Sequence, residues 1–262
     1  MTQPEKKNKT LVLGLSHIYG ETRNIDQQVA FWQRNGFALD FKMKLPVPSQ
    51  KQQALLNNHN AREVNLHYLK FTGIESAPGI EFLNHLPADS QTLQDFPSGL
   101  TLVIRGNQLK QITDYENNRV IIYPHLFAPA LSMISTPDVK ASSDLLEVLG
   151  FQRKKLELAF WEDMPKNVPR TEFYWELNLP LFPRLAVPLI LIEDRARPVF
   201  PKVDDVGFVG LSLVTRSFEE IEKHFPISCY QKFVSPKGNA MEIAFLNDSG
   251  LLIEFLKIGP KT

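Results

Sequence analysis

His17 lies in the run LVLGLSHIYG, where alternation places it on one face with Leu13, Leu15 and Tyr19. An imidazole on an apolar face has two uses. Neutral and hydrogen-bonded, it is an ordinary core histidine; with a free ring nitrogen it is a ligand suited to Zn, Ni, Fe or Mn. Glu254 is set in the same way among Leu252, Leu256 and Ile258, and Glu81 stands between Gly79 and Leu83. A carboxylate on such a face demands a Lys or Arg partner, a metal ion or a raised pKa, because an unpaired buried charge is costly. Glu193, followed by Asp194-Arg195, reads instead as a solvated ion pair at a strand end. His67 runs opposite in phase to Val64, Leu66 and Tyr68, and reaches a cleft only if that phase faces one. Phe160-Trp161 and Phe173-Tyr174-Trp175 form an aromatic cluster that serves either as core or as the lining of an apolar pocket.

Other chemistries are excluded. Cys229 is the one cysteine, which rules out an intrachain disulfide framework and cysteine-cluster zinc sites. No phosphate-binding loop, dinucleotide fingerprint or Gly-x-Ser-x-Gly elbow occurs. Lys plus Arg and Asp plus Glu are 29 each in 262 residues, so no general field draws nucleic acid or an anionic membrane. No run approaches the roughly 18–20 apolar residues that span a bilayer. The first residues, MTQPEKKNKT, lack the apolar core of a secretory signal. These features lead to the expectation of a cytoplasmic protein, monomeric or homodimeric, with a disordered lead over 1–9.

The elements that must position these residues form a repeat. In the first unit a strand carries His17, Asn24 caps a helix with Ile25, Val29 and Trp32 on one face, and Gly36-Phe37 ends it. Extended segments at 38–45, 63–71 and 80–85 follow, with the Gln- and Asn-rich stretch 49–60 read as an insertion or flexible loop. The third unit repeats the order: a strand at 130–136, a helix over 139–149 capped by Asp138 and ended by Gly150-Phe151, and strands at 152–160, 171–179 and 187–193. From Phe37 to Ile80 is 43 residues and from Phe151 to Ile192 is 41, each leading to an Ile-Glu pair. A fourth unit begins at 207, with Ser217 and Glu220 in a capping-box pattern, and ends on Ile253-Glu254. A shortened second unit is expected at 99–124, with a helix around 108–115. The chain therefore reads as an α+β protein of four related βαβββ units, grouped as 10–127 and 128–262.

These residues resemble the vicinal oxygen chelate superfamily, which includes glyoxalase I, bleomycin resistance proteins and extradiol dioxygenases. The likeness rests on His17, Asn24-Ile25, Phe31-Trp32, Gly36-Phe37 and Ile80-Glu81, and on the closing run AFLNDSGLLIEF. It implies tandem βαβββ modules forming cupped mixed sheets, with a divalent metal (Fe, Mn, Ni or Zn) held by residues of the first and last strands. His17 and Glu81 then fall at ligand positions, Glu254 at a third as ligand or general base, and Glu193 stands as a candidate in the third unit. The first-strand positions of the other units hold Leu131, Gly210 and a residue near Leu100, none of them a metal ligand.

Two readings of function follow. One is a metal-dependent enzyme, a lyase or dioxygenase, acting on a small substrate with vicinal oxygens. The other is a metal-free protein of the same fold that binds or sequesters a small aromatic or apolar molecule.

Overall fold

The computed structural model describes residues 10–73, 77–86, 99–162, 164, 166, 168–179, 186–227 and 230–261. The lead at 1–9 and Cys229 lie outside the described residues.

Helices begin where the capping side chains stand. Asn24 accepts from the Gln27 amide at 3.1 Å ahead of α1 (Ile25–Arg34), and Asp138 accepts from the Ala141 amide at 2.9 Å. Asp138 thereby opens the longer helix, Val139–Leu149. Gly36 and Gly150, at φ +92° and +104°, end these two helices in the left-handed region. Trp32 of α1 is fully buried, and its indole N–H is shared between Gln28 at 3.1 Å and Asp114 at 3.2 Å.

The strands form two sheets. In chain order the first unit supplies β1 (Val12–Glu21), β2 (Phe37–Pro46), β3 (Glu63–Phe71) and β4 (Gly79–Leu86). The second supplies β5 (Leu100–Arg105), β6 (Lys110–Thr113) and β7 (Arg119–Tyr123); the third supplies β8 (Ala130–Thr136), β9 (Phe151–Lys155), β10 (Phe173–Leu177) and β11 (Leu189–Glu193). The fourth supplies β12 (Gly207–Thr215), β13 (Tyr230–Val234), β14 (Asn239–Asp248) and β15 (Leu251–Lys261), with a short helix, Phe218–Glu222, capped by Ser217. One sheet runs β13-β14-β15-β12-β1-β4-β3-β2, and the other β6-β7-β5-β8-β11-β10-β9. In both, first strands pair antiparallel at the centre, and each is flanked by its own unit's last strand in parallel.

The pairing joins unit one to unit four and unit two to unit three. Each sheet thus takes one unit from either half of the chain as grouped above. One apolar cluster joins the helices to one face of both sheets, through residues such as Ile18, Phe82 and Phe208 on the first and Leu102, Leu189 and Leu191 on the second. Smaller clusters occupy the other face of each sheet.

Three segments refine or depart from the expected elements, the first being the strand expected over 152–160, which ends at Lys155 and gives way to a single 3-10 turn, Leu158–Trp161. The stretch 49–60 is a packed insertion: α2 spans Ser49–Leu55, Lys51 and Leu55 are buried, and Asn57 and Asn58 are held by Asp204 and Asp205. In the second unit the helix expected at 108–115 is replaced by β6 and a turn. Asp114 accepts from the amides of Glu116 and Asn118 at 2.8 and 2.9 Å, and Asn117 takes φ +62°. That carboxylate fixes a turn in competition with a helix, and only Ile112 of β6 is buried, too little to anchor an amphipathic face.

Candidate metal centre

The sheet order brings the three sequence candidates together. Pairing places His17 opposite Ser212, Tyr19 beside Glu81 and Ser212 beside Glu254. His17 Nε2 lies 3.6 Å from Glu81 Oε2 and 3.5 Å from Glu254 Oε1. One donor atom from each residue falls within 4.8 Å of the others, and all three side chains are buried. The strand phase of His17 is not simple alternation. A register shift between Leu15 and His17 sends Leu15 to the helix-covered face, while Ser16 and His17 both reach the cup.

Supporting contacts fix the donors. Ser212 donates its hydroxyl to Glu254 Oε1 at 2.7 Å. Ser16 Oγ lies 3.1 Å from His17 Nδ1, and the Tyr68 ring meets the imidazole edge-on at 5.4 Å. His17 Nε2, the nitrogen facing both carboxylates, has no hydrogen-bond partner among the described residues. Burial lowers the His17 pKa to about 3, so the ring is neutral at physiological pH. Burial, and then the charge of Glu254, pushes Glu81 well above its ordinary value, while Lys51 opposes the rise. Burial also raises Glu254, against the Ser212 hydrogen bond and Lys51.

An orphaned imidazole nitrogen and two buried carboxylates that repel each other are a donor set a divalent cation satisfies. If these three residues held an ion, it would have positions open for further ligands. The centre opens on a cavity of about 180 Å³ bordered by Phe41, Met43, Tyr68, Phe233 and Met241. At its mouth Lys237 and Lys70 bind Asp40 at 2.7 and 3.2 Å.

The remaining candidates lie elsewhere. His17, Leu131 and Gly210 each stand seven residues before a helix cap, so they are equivalent positions. The register then equates Glu81, Glu254 and Ile190, which pairs with Met133 as Glu81 pairs with Tyr19. Glu193 is not at that position. It pairs with Thr136 at the end of β11 and binds Arg195 at 2.8 Å, because the third unit reaches its last strand in fewer residues than the Ile-Glu match suggested. In the second sheet the corresponding residues are Leu131, Ile190, Thr101 and Ile121, which offer no metal donor set. His67 pairs with Phe82, a residue of the helix-side core, and so faces away from the centre. Trp175 donates to Ser143 Oγ at 3.0 Å in the core, and Phe173 lies under the Arg153 guanidinium. Tyr174 and Phe160 border a separate cavity of about 570 Å³ on the second sheet.

Sequence reasoning missed Tyr19, Ser212, Tyr68 and Lys51. Tyr19 and Ser212 carried a signal, being equivalent positions two residues beyond His17 and Gly210. Lys51 carried none, since its burial depends on α2 packing over Phe245, whose ring centroid is 5.3 Å from the ammonium.

Glyoxalase I from Zea mays has a similar structure, with a TM-score of 0.59 and 13% identity over 93% of this chain and 92% of that one. A point variant of the same maize enzyme gives 0.58 at 13% identity, over 93% and 92%. Methylmalonyl-CoA epimerase from Mycobacterium tuberculosis is a weaker likeness, at 0.38 and 10% identity over 100% and 95%. No protein-family model matches the chain, and no curated protein matches it in sequence. The fold is that of the vicinal oxygen chelate proteins. Among the described residues, no helix is long and apolar enough to cross a membrane.

Proposed function

We propose that this chain is a divalent-metal-dependent enzyme of the glyoxalase/dioxygenase type, acting on a small substrate with vicinal oxygens. His17, Glu81 and Glu254 are the ligands, and Glu254 doubles as general base. The observation that carries this reading is the convergence of three buried donors on one point from β1, β4 and β15, with His17 Nε2 unpartnered.

A bound Fe, Mn, Ni or Zn ion supplies a Lewis acid that polarises the substrate oxygens. The protein does the rest. Burial keeps His17 neutral and its ring nitrogen available, with Ser16 and Tyr68 restricting the ring. Ser212 holds one oxygen of Glu254 and thereby orients the carboxylate. Because burial raises its pKa, the Glu254 carboxylate binds a proton more tightly than an exposed one, which suits proton abstraction next to a carbonyl. The largely apolar cavity, of about 180 Å³, has room for only a small molecule.

Elemental analysis of protein purified without chelator tests the reading. It predicts close to one equivalent of divalent metal, or a thermal shift on adding one of the four ions, lost in His17→Ala. Protein that neither carries nor responds to any of them, and whose His17→Ala variant binds small molecules unchanged, would falsify it. The metal-free alternative draws on Lys51, whose charge acts on both carboxylates. In that case the ammonium stands in for the cation, and neither added metal nor chelator would change the Tm or ligand binding.

A further inference from the structure

We propose that the Tyr19 phenol oxygen is the fourth protein ligand of this centre, taking from β1 the place that a side chain at position 210 would take from β12. The inference rests on the metal-centre reading above.

The two central strands are related by the pairing itself: His17 and Gly210 are equivalent positions, as are Tyr19 and Ser212. His17 has a donor and Gly210 has none. The missing side chain at 210 is a steric requirement of Tyr19. A Cβ on Gly210 would lie 2.1 Å from Tyr19 Cζ and 2.2 Å from its Oη, so the ring and its hydroxyl already fill that space. Gly210 does not have a positive φ, and its backbone would accept any residue. The phenol is what excludes them.

Tyr19 is fully buried, and its hydroxyl has no hydrogen-bond partner among the described residues. Buried tyrosine hydroxyls ordinarily find one, because leaving a buried polar group unpaired costs about 1–3 kcal/mol. The ring lies beside the centre: its centroid is 6.4 Å from that of His17, and Tyr19 is the register partner of Glu81. A buried, unpaired hydroxyl on the strand that carries His17, set over the donorless position 210, is accounted for if the centre's cation takes it as a ligand. Coordination forms one metal–oxygen bond and releases the phenolic proton to solvent, with no change in oxidation state.

Ferric iron reports this bond directly, because a phenolate ligand produces a visible charge-transfer band that carboxylates and imidazole do not. Metal-free protein would be titrated with ferric nitrilotriacetate, and separately with Zn(II) for affinity. Wild type is expected to show the band at one equivalent of iron. Tyr19→Phe, which keeps the ring over Gly210 and removes only an unpaired hydroxyl, should still bind iron without the band, and bind Zn(II) about tenfold or more weakly. Tyr68→Phe is the control for the other tyrosine near His17, and should keep the band. Iron binding without a band in wild type, or a band that survives in Tyr19→Phe, overturns the tyrosine ligand and leaves the three-residue centre standing. Wild type that binds neither ion overturns both.

Discussion

Replacing Glu81 with Gln should make the metal-free protein more stable and deprive it of its response to metal. Glu81 and Glu254 are both buried, with donor atoms within 4.8 Å of each other and of His17 Nε2. Two unit charges at that separation repel by about 3.5 kcal/mol at an effective dielectric constant near 20. Proton uptake by the pair and the nearby charge of Lys51 absorb part of this, leaving about 1–3 kcal/mol to be relieved by a neutral amide of the same shape. At about 2 °C per kcal/mol for a chain of this size, the gain is about 2–6 °C in Tm. Metal at a hundred times its Kd stabilises wild type by about 2.7 kcal/mol, or about 5 °C, and the variant hardly at all. Differential scanning calorimetry of both proteins, with and without Ni(II) or Zn(II), gives the four values. Metal-free variant should lie above metal-free wild type, and adding metal should raise only wild type. If metal-free Glu81→Gln melts below wild type, or both proteins shift equally with metal, the like-charge argument fails.

Other predictions concern the frame of the site. Glu21 Oε2 lies 2.7 Å from His85 Nδ1, with Lys51 and Asp204 acting on the pair. Burial pushes the carboxyl well above 4.5, and burial together with Lys51 holds the imidazole well below 6.5. The Glu21 contribution is therefore lost as pH rises above 4.5, and the His85 contribution is lost as pH falls below 6.5. Where both act the two slopes, each up to about 1.4 kcal/mol per pH unit, oppose each other, and the loss from Glu21 is felt alone on the alkaline side. Urea titrations should find that Glu21→Gln removes the alkaline fall; an unchanged slope above pH 6.5 would contradict the pairing. Trp32→Phe removes the donor shared by Gln28 and Asp114 and should cost about 1–3 kcal/mol in the same assay. A loss under about 0.5 kcal/mol would mean that these bonds do not tie α1 to the turn of the second unit. Gly20→Ala would set a Cβ 2.1 Å from the Gly207 carbonyl oxygen, backbone that cannot step aside. It should cost about 3 kcal/mol or more or prevent folding, and a variant of near wild-type stability would show that the central strands can separate locally.

Much of this molecule is written in short windows. Asn24, Asp138 and Ser217 cap helices from within three residues of the amides they bind, and Gly36 and Gly150 stop two of those helices by a backbone preference of their own. Glu81 and Glu254 stand on their strands in the phase that alternation gave them. Such signals need only near neighbours, so the repeat and the three ligand candidates were legible in order along the chain. Glu193 shows the limit. The Ile-Glu match ignored how many residues the third unit spends before its last strand, and the register set Ile190 at the site in its place. The segment 108–115 shows another, since a few carboxylate bonds from Asp114 outweighed a weak helical pattern.

The sequence by itself determined the capped helices, the strand faces, the fourfold repeat and the identities of His17, Glu81 and Glu254 as the residues to bring together. Only the tertiary structure decided that the first unit pairs with the fourth, which is what carries Glu254 from the far end of the chain to His17. It also decided that α2 buries Lys51 beside them and that Tyr19 fills the space above Gly210. Caps and alternation are settled between residues a few positions apart. Sheet pairing and side-chain fit are settled between residues about two hundred positions apart, by total burial and backbone pairing that no local window contains.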